Sequence, residues 1–244
     1  MEKLKVMVVV GTRPEIIRLS EVIKAIDKYF NLVLVHTGQN YDYTLNEIFF
    51  EEFGLKAPDY YLDAPGKHLG ETVGNIISKT YEVIQQEKPD ALLVLGDTNS
   101  CLAAYSAKRL KVPIFHMEAG NRCFDFNVPE EINRRVVDHV SDVNLAYTEN
   151  ARRYLMNEGI KNAFLYVTGS PMKEVLFKNM KSIDMAISKM NERYKKNLKY
   201  VEDGIIFIKA EGVKYINEKY YRKGYLKYLE ELKTKLDVKY DKQK

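Results

Sequence analysis

The stretch ALLVLGDTNSCLAAYSAKRLKVPIFHMEAGNR, residues 91–122, decides the fold. Two short apolar runs, Ala91–Leu95 and Val112–Phe115, flank a segment from Thr98 to Leu110 that reads as a helix. Apolar runs of that length suit strands buried on both faces of a parallel sheet, and strand–helix–strand is a βαβ unit. Each run ends in a polar cluster, Gly96-Asp97-Thr98-Asn99-Ser100 and His116-Met117-Glu118-Ala119-Gly120-Asn121-Arg122. Open α/β sheets bind ligands at the carboxyl ends of their strands, so both clusters fall where a crevice is expected. A third cluster follows, Pro129-Glu130-Glu131-Ile132-Asn133-Arg134-Arg135, with proline at a helix start and two glutamates in the first turn.

Working outward, the same alternation continues. Lys5–Val10 reads as a first strand, Gly11-Thr12-Arg13-Pro14-Glu15 as a tight turn, and Glu15–Tyr29 as a helix. A strand that turns tightly into a helix can present backbone N–H groups to phosphate. Only Gly11 of a GxGxxG fingerprint is present, which argues against a dinucleotide cofactor. Arg13 and Arg18 stand near the helix start, where a cation opposes the dipole unless an anionic ligand is near.

Asn31–His36 reads as a second strand and 45–53 as a helix, with 57–64 irregular between Pro58 and Pro65. Helical spacing recurs over 68–86, and the helix opened by Pro129 runs to Val140. Strands are expected over 142–147 and 163–167, with a helix over 149–158 between them. The sum is a doubly wound α/β domain with six or seven parallel strands by residue 170, expected to span 1–180. Beyond it, 181–244 reads as a Lys- and Tyr-rich helical extension. Its features are an apolar run at 204–208 and an amphipathic pattern over 215–236.

Bulk properties exclude several classes. The net charge is +4, and residues 201–244 hold eleven Lys/Arg against eight Asp/Glu, so the body is nearly neutral. That leaves no extended nucleic-acid footprint. The two cysteines, Cys101 and Cys123, form no CxxC, so neither a disulfide framework nor a cysteine-based metal site is expected. No apolar run approaches a membrane span, and the N-terminus lacks a signal-peptide pattern. A cytoplasmic protein without a metal is the expectation.

Four motifs in order, Gly11-Thr12-Arg13-Pro14-Glu15, Gly96-Asp97-Thr98, Glu118-Ala119-Gly120-x-Arg122 and Pro129-Glu130-Glu131-x-Asn133-Arg134, resemble the N-terminal half of the non-hydrolysing UDP-N-acetylglucosamine 2-epimerases. Cys123-Phe124-Asp125 and Thr168-Gly169-Ser170-Pro171-Met172 are most similar to a capsule and O-antigen subgroup. That subgroup acts on 6-deoxy UDP-sugars on the route to UDP-N-acetyl-L-fucosamine. The resemblance implies a glycosyltransferase-B type fold with a UDP-sugar bound between two Rossmann-like halves. It also implies loss of the C2 proton as UDP leaves C1, then re-addition of UDP to the glycal with a proton on the other face.

By the same resemblance, Asp97, Glu118 and Glu130 are the acid/base carboxylates. Arg13, Arg18, Arg122, Glu131 and Arg134 are substrate-binding residues, with Glu131 and Arg134 alternatively supporting the site through a helix-start network. Arg18 stands where the family usually has lysine. The family's second half carries a His-Arg motif and a Gly-rich motif followed by glutamate. Neither occurs here, since the histidines are His36, His68, His116 and His139. A half-enzyme is the expectation, acting as a homodimer or with a partner that supplies the second domain.

Overall fold

The computed structural model describes residues 3–38 and 47–185, with 187–189, 192 and 234 beyond them. Readings on 39–46, on the 204–208 run and on most of the 215–236 helix lie outside the described residues. Packing divides the chain into two units, Met1–Val175 and Leu176–Lys244.

Within the first unit, strands and helices alternate as β1 (Lys5–Val10), α1 (Arg13–Tyr29), β2 (Asn31–His36), α2 (Glu47–Glu52), β3 (Tyr60–Tyr61), α3 (Leu69–Glu87), β4 (Ala91–Leu95), α4 (Ala103–Arg109), β5 (Ile114–Ala119), α5 (Pro129–Val140), β6 (Val143–Ala146), α6 (Glu149–Asn157) and β7 (Leu165–Val167). A further helix, α7, covers Met172–Lys178. All strand pairs are parallel, in the order β3-β2-β1-β4-β5-β6-β7.

The period-2 alternation of β1 shows why the sheet is sandwiched. Val8 and Val10 pack with Ile16, Leu19, Ile23 and Ile26 of α1. Met7 and Val9 join the opposite cluster, with Ile76, Val83, Ala103, Ala104, Ala107 and Val137 from α3, α4 and α5. Strand order reverses at β1, so the loops after β1 and β4 diverge and open a crevice between them. The doubly wound parallel sheet read from the sequence is thus present, with seven strands.

Three local expectations need correction. Residues 57–64 are not wholly irregular, because Tyr60 and Tyr61 pair with Val35 and His36 at the sheet edge. The segment after Gly96 begins as a 3-10 turn over Asn99–Leu102 before α4 starts. Most importantly, β5 does not stop at Phe115 but continues to Ala119, pairing His116, Met117 and Ala119 with β6. A polar His116 is tolerated inside a buried strand because both ring nitrogens have partners, Asp138 Oδ1 and the Gly96 carbonyl, each at 2.8 Å.

Candidate functional site

The loop after β1 is built around Glu15. Thr12 caps α1, and the Glu15 carboxylate folds back to accept from Gly11 N–H at 3.0 Å, Thr12 N–H at 2.8 Å and Thr12 Oγ1 at 2.8 Å. From the loop after β4, Thr98 Oγ1 donates to its other oxygen at 2.9 Å. Glu15 is 2% exposed. Burial raises its pKa to about 7, against the hydroxyl and amide donors that favour the carboxylate. The Gly11 and Thr12 N–H groups of this turn are thus taken up by the protein's own carboxylate.

Glu118 lies on β5 with φ 65°, in the left-handed region, where the register to β6 shifts between Met117 and Ala119. A non-glycine residue there carries strain on the order of 1–3 kcal/mol, tolerated where surrounding bonds hold it. The bulge turns its carboxylate across the crevice to an ion pair with Arg18 of α1, while Asn121 donates to Oε1 at 3.3 Å. A methyl group on Gly96 would lie 3.6 Å from Glu118 Oε2, so this carboxylate stands beside the residue that precedes Asp97. Nearby, the Tyr147 hydroxyl is buried without a hydrogen-bond partner among the described residues. Its pKa is raised by burial and by the charge on Glu118.

The first turns of α5 supply the third side. Arg134 forms an ion pair with Asp97, its Nε donating at 3.0 Å, and its Nη1 reaches Glu131 at 3.1 Å. Asn133 fixes the same loop through the Asp97 carbonyl at 2.9 Å and Asn99 Oδ1 at 3.1 Å. Glu131 is fully buried and accepts from Cys123 N–H at 3.0 Å and Arg135 Nε at 2.9 Å. Burial alone would raise its pKa, but those donors bring it down to about 2.

The structure thus brings together Asp97 with Arg134 and Glu131 of α5, and separately Arg18 of α1 with Glu118 of β5. Arg13 is exposed, its guanidinium over the Phe49 ring at 5.9 Å. Glu130 is exposed in the first turn of α5 and takes no part in the hydrogen-bonded cluster among the described residues.

Arg122 and Glu131, expected as substrate-binding residues with Glu131 alternatively in a helix-start network, have fully buried side chains paired with protein groups. Arg122 is held by Asp138 at 2.7 Å and by Glu158 at 2.8 and 2.5 Å. Burial disfavours its charge, yet these carboxylates more than offset that and raise its pKa.

Sequence reasoning missed Glu15, His116, Asn133 and Asp138 as site-building groups. Glu15 carried a signal, since threonine followed three residues later by glutamate marks a capping box. Asp138 carried none, being an ordinary polar residue in an amphipathic helix.

A crevice at the strand ends of a doubly wound parallel sheet, lined by arginine-paired carboxylates, belongs to the α/β class whose ligand sites lie at the carboxyl ends of the strands. The family model described as UDP-N-acetylglucosamine 2-epimerase matches residues 24–232. The chain belongs to that family.

A solved structure of UDP-N-acetylglucosamine 2-epimerase from Rickettsia bellii is 55% identical with a TM-score of 0.71, over 75% of this chain and 49% of that one. The Methanocaldococcus jannaschii UDP-GlcNAc 2-epimerase, solved in complex with UDP-GlcNAc and UDP, is 38% identical with a TM-score of 0.71, over 81% of this chain and 54% of that one. The UDP-2,3-diacetamido-2,3-dideoxy-D-glucuronate 2-epimerase of Pseudomonas aeruginosa is 45% identical over 65% of this chain and 46% of its own length. The chain spans about half the length of the curated relatives it matches.

Proposed function

We propose that this chain carries the acid/base half of a UDP-sugar 2-epimerase, acting on a UDP-2-acetamido sugar without a cofactor. The observation that carries the reading is the pair of arginine-held carboxylates at the carboxyl edge of the sheet, Glu118 at the end of β5 with Arg18 of α1, and Asp97 after β4 with Arg134 of α5. In this reading a carboxylate among Asp97, Glu118 and Glu130 takes the C2 proton while the C1–O bond to UDP breaks, leaving a C1=C2 glycal. A second group of the three, starting protonated as a carboxylic acid, gives its proton to the opposite face of C2 as UDP re-adds at C1, so the two groups exchange protonation states and solvent resets them before the next turnover. Charge develops on the departing diphosphate, and this reading assigns Arg13, Arg18 and Arg134 to meet it. An arriving diphosphate competes with Glu118 and Asp97 for Arg18 and Arg134, freeing each carboxylate for proton transfer.

Within this class, the motif resemblance favours a 6-deoxy sugar of a capsule or O-antigen pathway, and nucleotide-sugar chemistry favours a cytoplasmic location. Among the described residues no helix is long and apolar enough to cross a membrane.

The test is proton NMR of UDP-N-acetylglucosamine incubated with the chain in D₂O. Deuterium at C2 supports the reading. No exchange at high protein concentration argues against independent catalysis.

A second reading is favoured by one observation, the engagement of both crevice arginines, Arg18 and Arg134, by the protein's own carboxylates. In it the chain is a non-catalytic module, or a subunit of a homodimer or a two-chain assembly in which a partner closes the cleft and excludes water. A mass increase on adding that partner, together with restored exchange, distinguishes it.

A further inference from the structure

Glu118 occupies a backbone conformation that its own side chain does not favour, so something must hold it there. The residues two before and two after it converge on one buried group. His116 Nδ1 meets Asp138 Oδ1 at 2.8 Å, and Gly120 N–H reaches both Asp138 oxygens at 3.2 Å. Asp138 is wholly buried on α5 and also accepts from Arg122 Nη1 at 2.7 Å. Its backbone carbonyl accepts from Asn144 of β6 at 3.0 Å, which fixes α5 against the next strand.

On the far side of the ring, Nε2 faces the Gly96 carbonyl, which can only accept, so that nitrogen carries a proton. Gly120 has φ 81°, and a methyl there would lie 2.4 Å from the Ala151 carbonyl, so the chain enters α6's shadow at a fixed point. The span 116–120 is thus pinned at both ends, and its middle residue is forced out of the pleat.

We infer that Asp138 is the positioning residue of this site: by gripping His116 and Gly120 it holds Glu118 in its left-handed conformation, and through His116 it fixes the Gly96–Asp97 turn. Both carboxylates facing the crevice then depend on one buried aspartate that touches neither. The inference rests on the reading of Glu118 and Asp97 as acid/base groups only for its catalytic consequence. The conformational part stands alone.

The experiment is backbone NMR of the isotopically labelled chain and of Asp138→Asn, with Glu158→Gln as control. Asparagine matches the shape but loses one acceptor oxygen and the charge. Glu158 shares Arg122 with Asp138 but does not touch His116 or Gly120. In Asp138→Asn the HN–Hα coupling and carbon shifts of Glu118 should leave the left-handed pattern. The Gly96 and Asp97 amides should move with it, while β1 and β2 stay put. In Glu158→Gln, Glu118 should stay as it is.

A left-handed Glu118 in folded Asp138→Asn, or equal loss in both variants, overturns the inference. Should Asp138→Asn not fold, His116→Gln leaves the Gly120 and Arg122 bonds in place and is judged by the same shift or its absence. Deuterium exchange at C2 is measured alongside. Where the wild type exchanges, Asp138→Asn should slow it about 100-fold at saturating sugar with KM changed less than about 3-fold, since a misplaced group costs about that much. If the wild type does not exchange but Glu118 still depends on Asp138, the functional reading fails and the positioning role stands.

Discussion

Thr98 Oγ1 donates to Glu15 Oε1 at 2.9 Å, joining the loop after β4 to the first turn of α1 across the strand-order reversal. Ser100 approaches the other oxygen at 3.4 Å, so one buried carboxyl group fastens both rims of the crevice floor.

Glu15 makes stability fall as pH rises. Its folded pKa of about 7 lies above the unfolded value of 4.5. The folded state therefore binds more protons between those values, and the contribution is full below about 4.5 and lost as pH rises through about 7. At its limit the effect is on the order of 3 kcal/mol. Urea unfolding of the wild type and Glu15→Gln from pH 4.5 to 8 should show the wild-type decline flattened in the variant. Parallel curves would remove Glu15 as the cause.

Gly11 is required for space. A methyl group there would lie 2.0 Å from Thr37 Oγ1 and 2.2 Å from Ser100 Oγ, both on short buried side chains. Gly11→Ala should cost about 1–3 kcal/mol in chemical unfolding. Pairing it with Ser100→Ala should recover part of that loss, and no recovery would locate the clash elsewhere.

Arg122 should behave as a structural residue. Its side chain is fully buried between Asp138 and Glu158. Arg122→Ala leaves Asp138 without that partner and should destabilise the fold by about 3–5 kcal/mol. Arg122→Lys should rescue little, because one ammonium cannot replace a fork that reaches two carboxylates. A stable variant with weakened UDP binding would instead restore Arg122 as a ligand contact.

Asp97→Asn and Glu118→Gln should each lower C2 exchange by about 10²–10⁴-fold while the circular dichroism spectrum is retained. Exchange at the wild-type rate in either would take that residue out of the proton-transfer role. Glu130→Gln is the sharper comparison. Glu130 stands exposed outside the hydrogen-bonded cluster, so a comparable loss there would mean that ligand binding brings it into the site.

The architecture was legible because burial on both faces writes itself into composition: Lys5–Val10, Asn31–His36 and Ala91–Leu95 are strands with the bounds their apolar runs indicate. The start of α5 at Pro129 was equally legible, since proline and acidic residues report the free N–H groups and dipole of a helix end. The end of β5 was not. His116 looks like a loop residue until Asp138, 22 positions later, comes beside it.

What the sequence determined alone is local: which segments are strands and helices, and that Asp97, Glu118 and Arg134 lie near the carboxyl ends of strands. Tertiary structure decided which charges are free. Arg122 and Glu131 read like the other site residues, yet both are enclosed by carboxylates or donors drawn from separate elements. Glu15, Asp138 and the left-handed Glu118 are of the same kind. Burial and pairing arise from contacts between distant residues, and spacing along a chain does not encode which of them will meet.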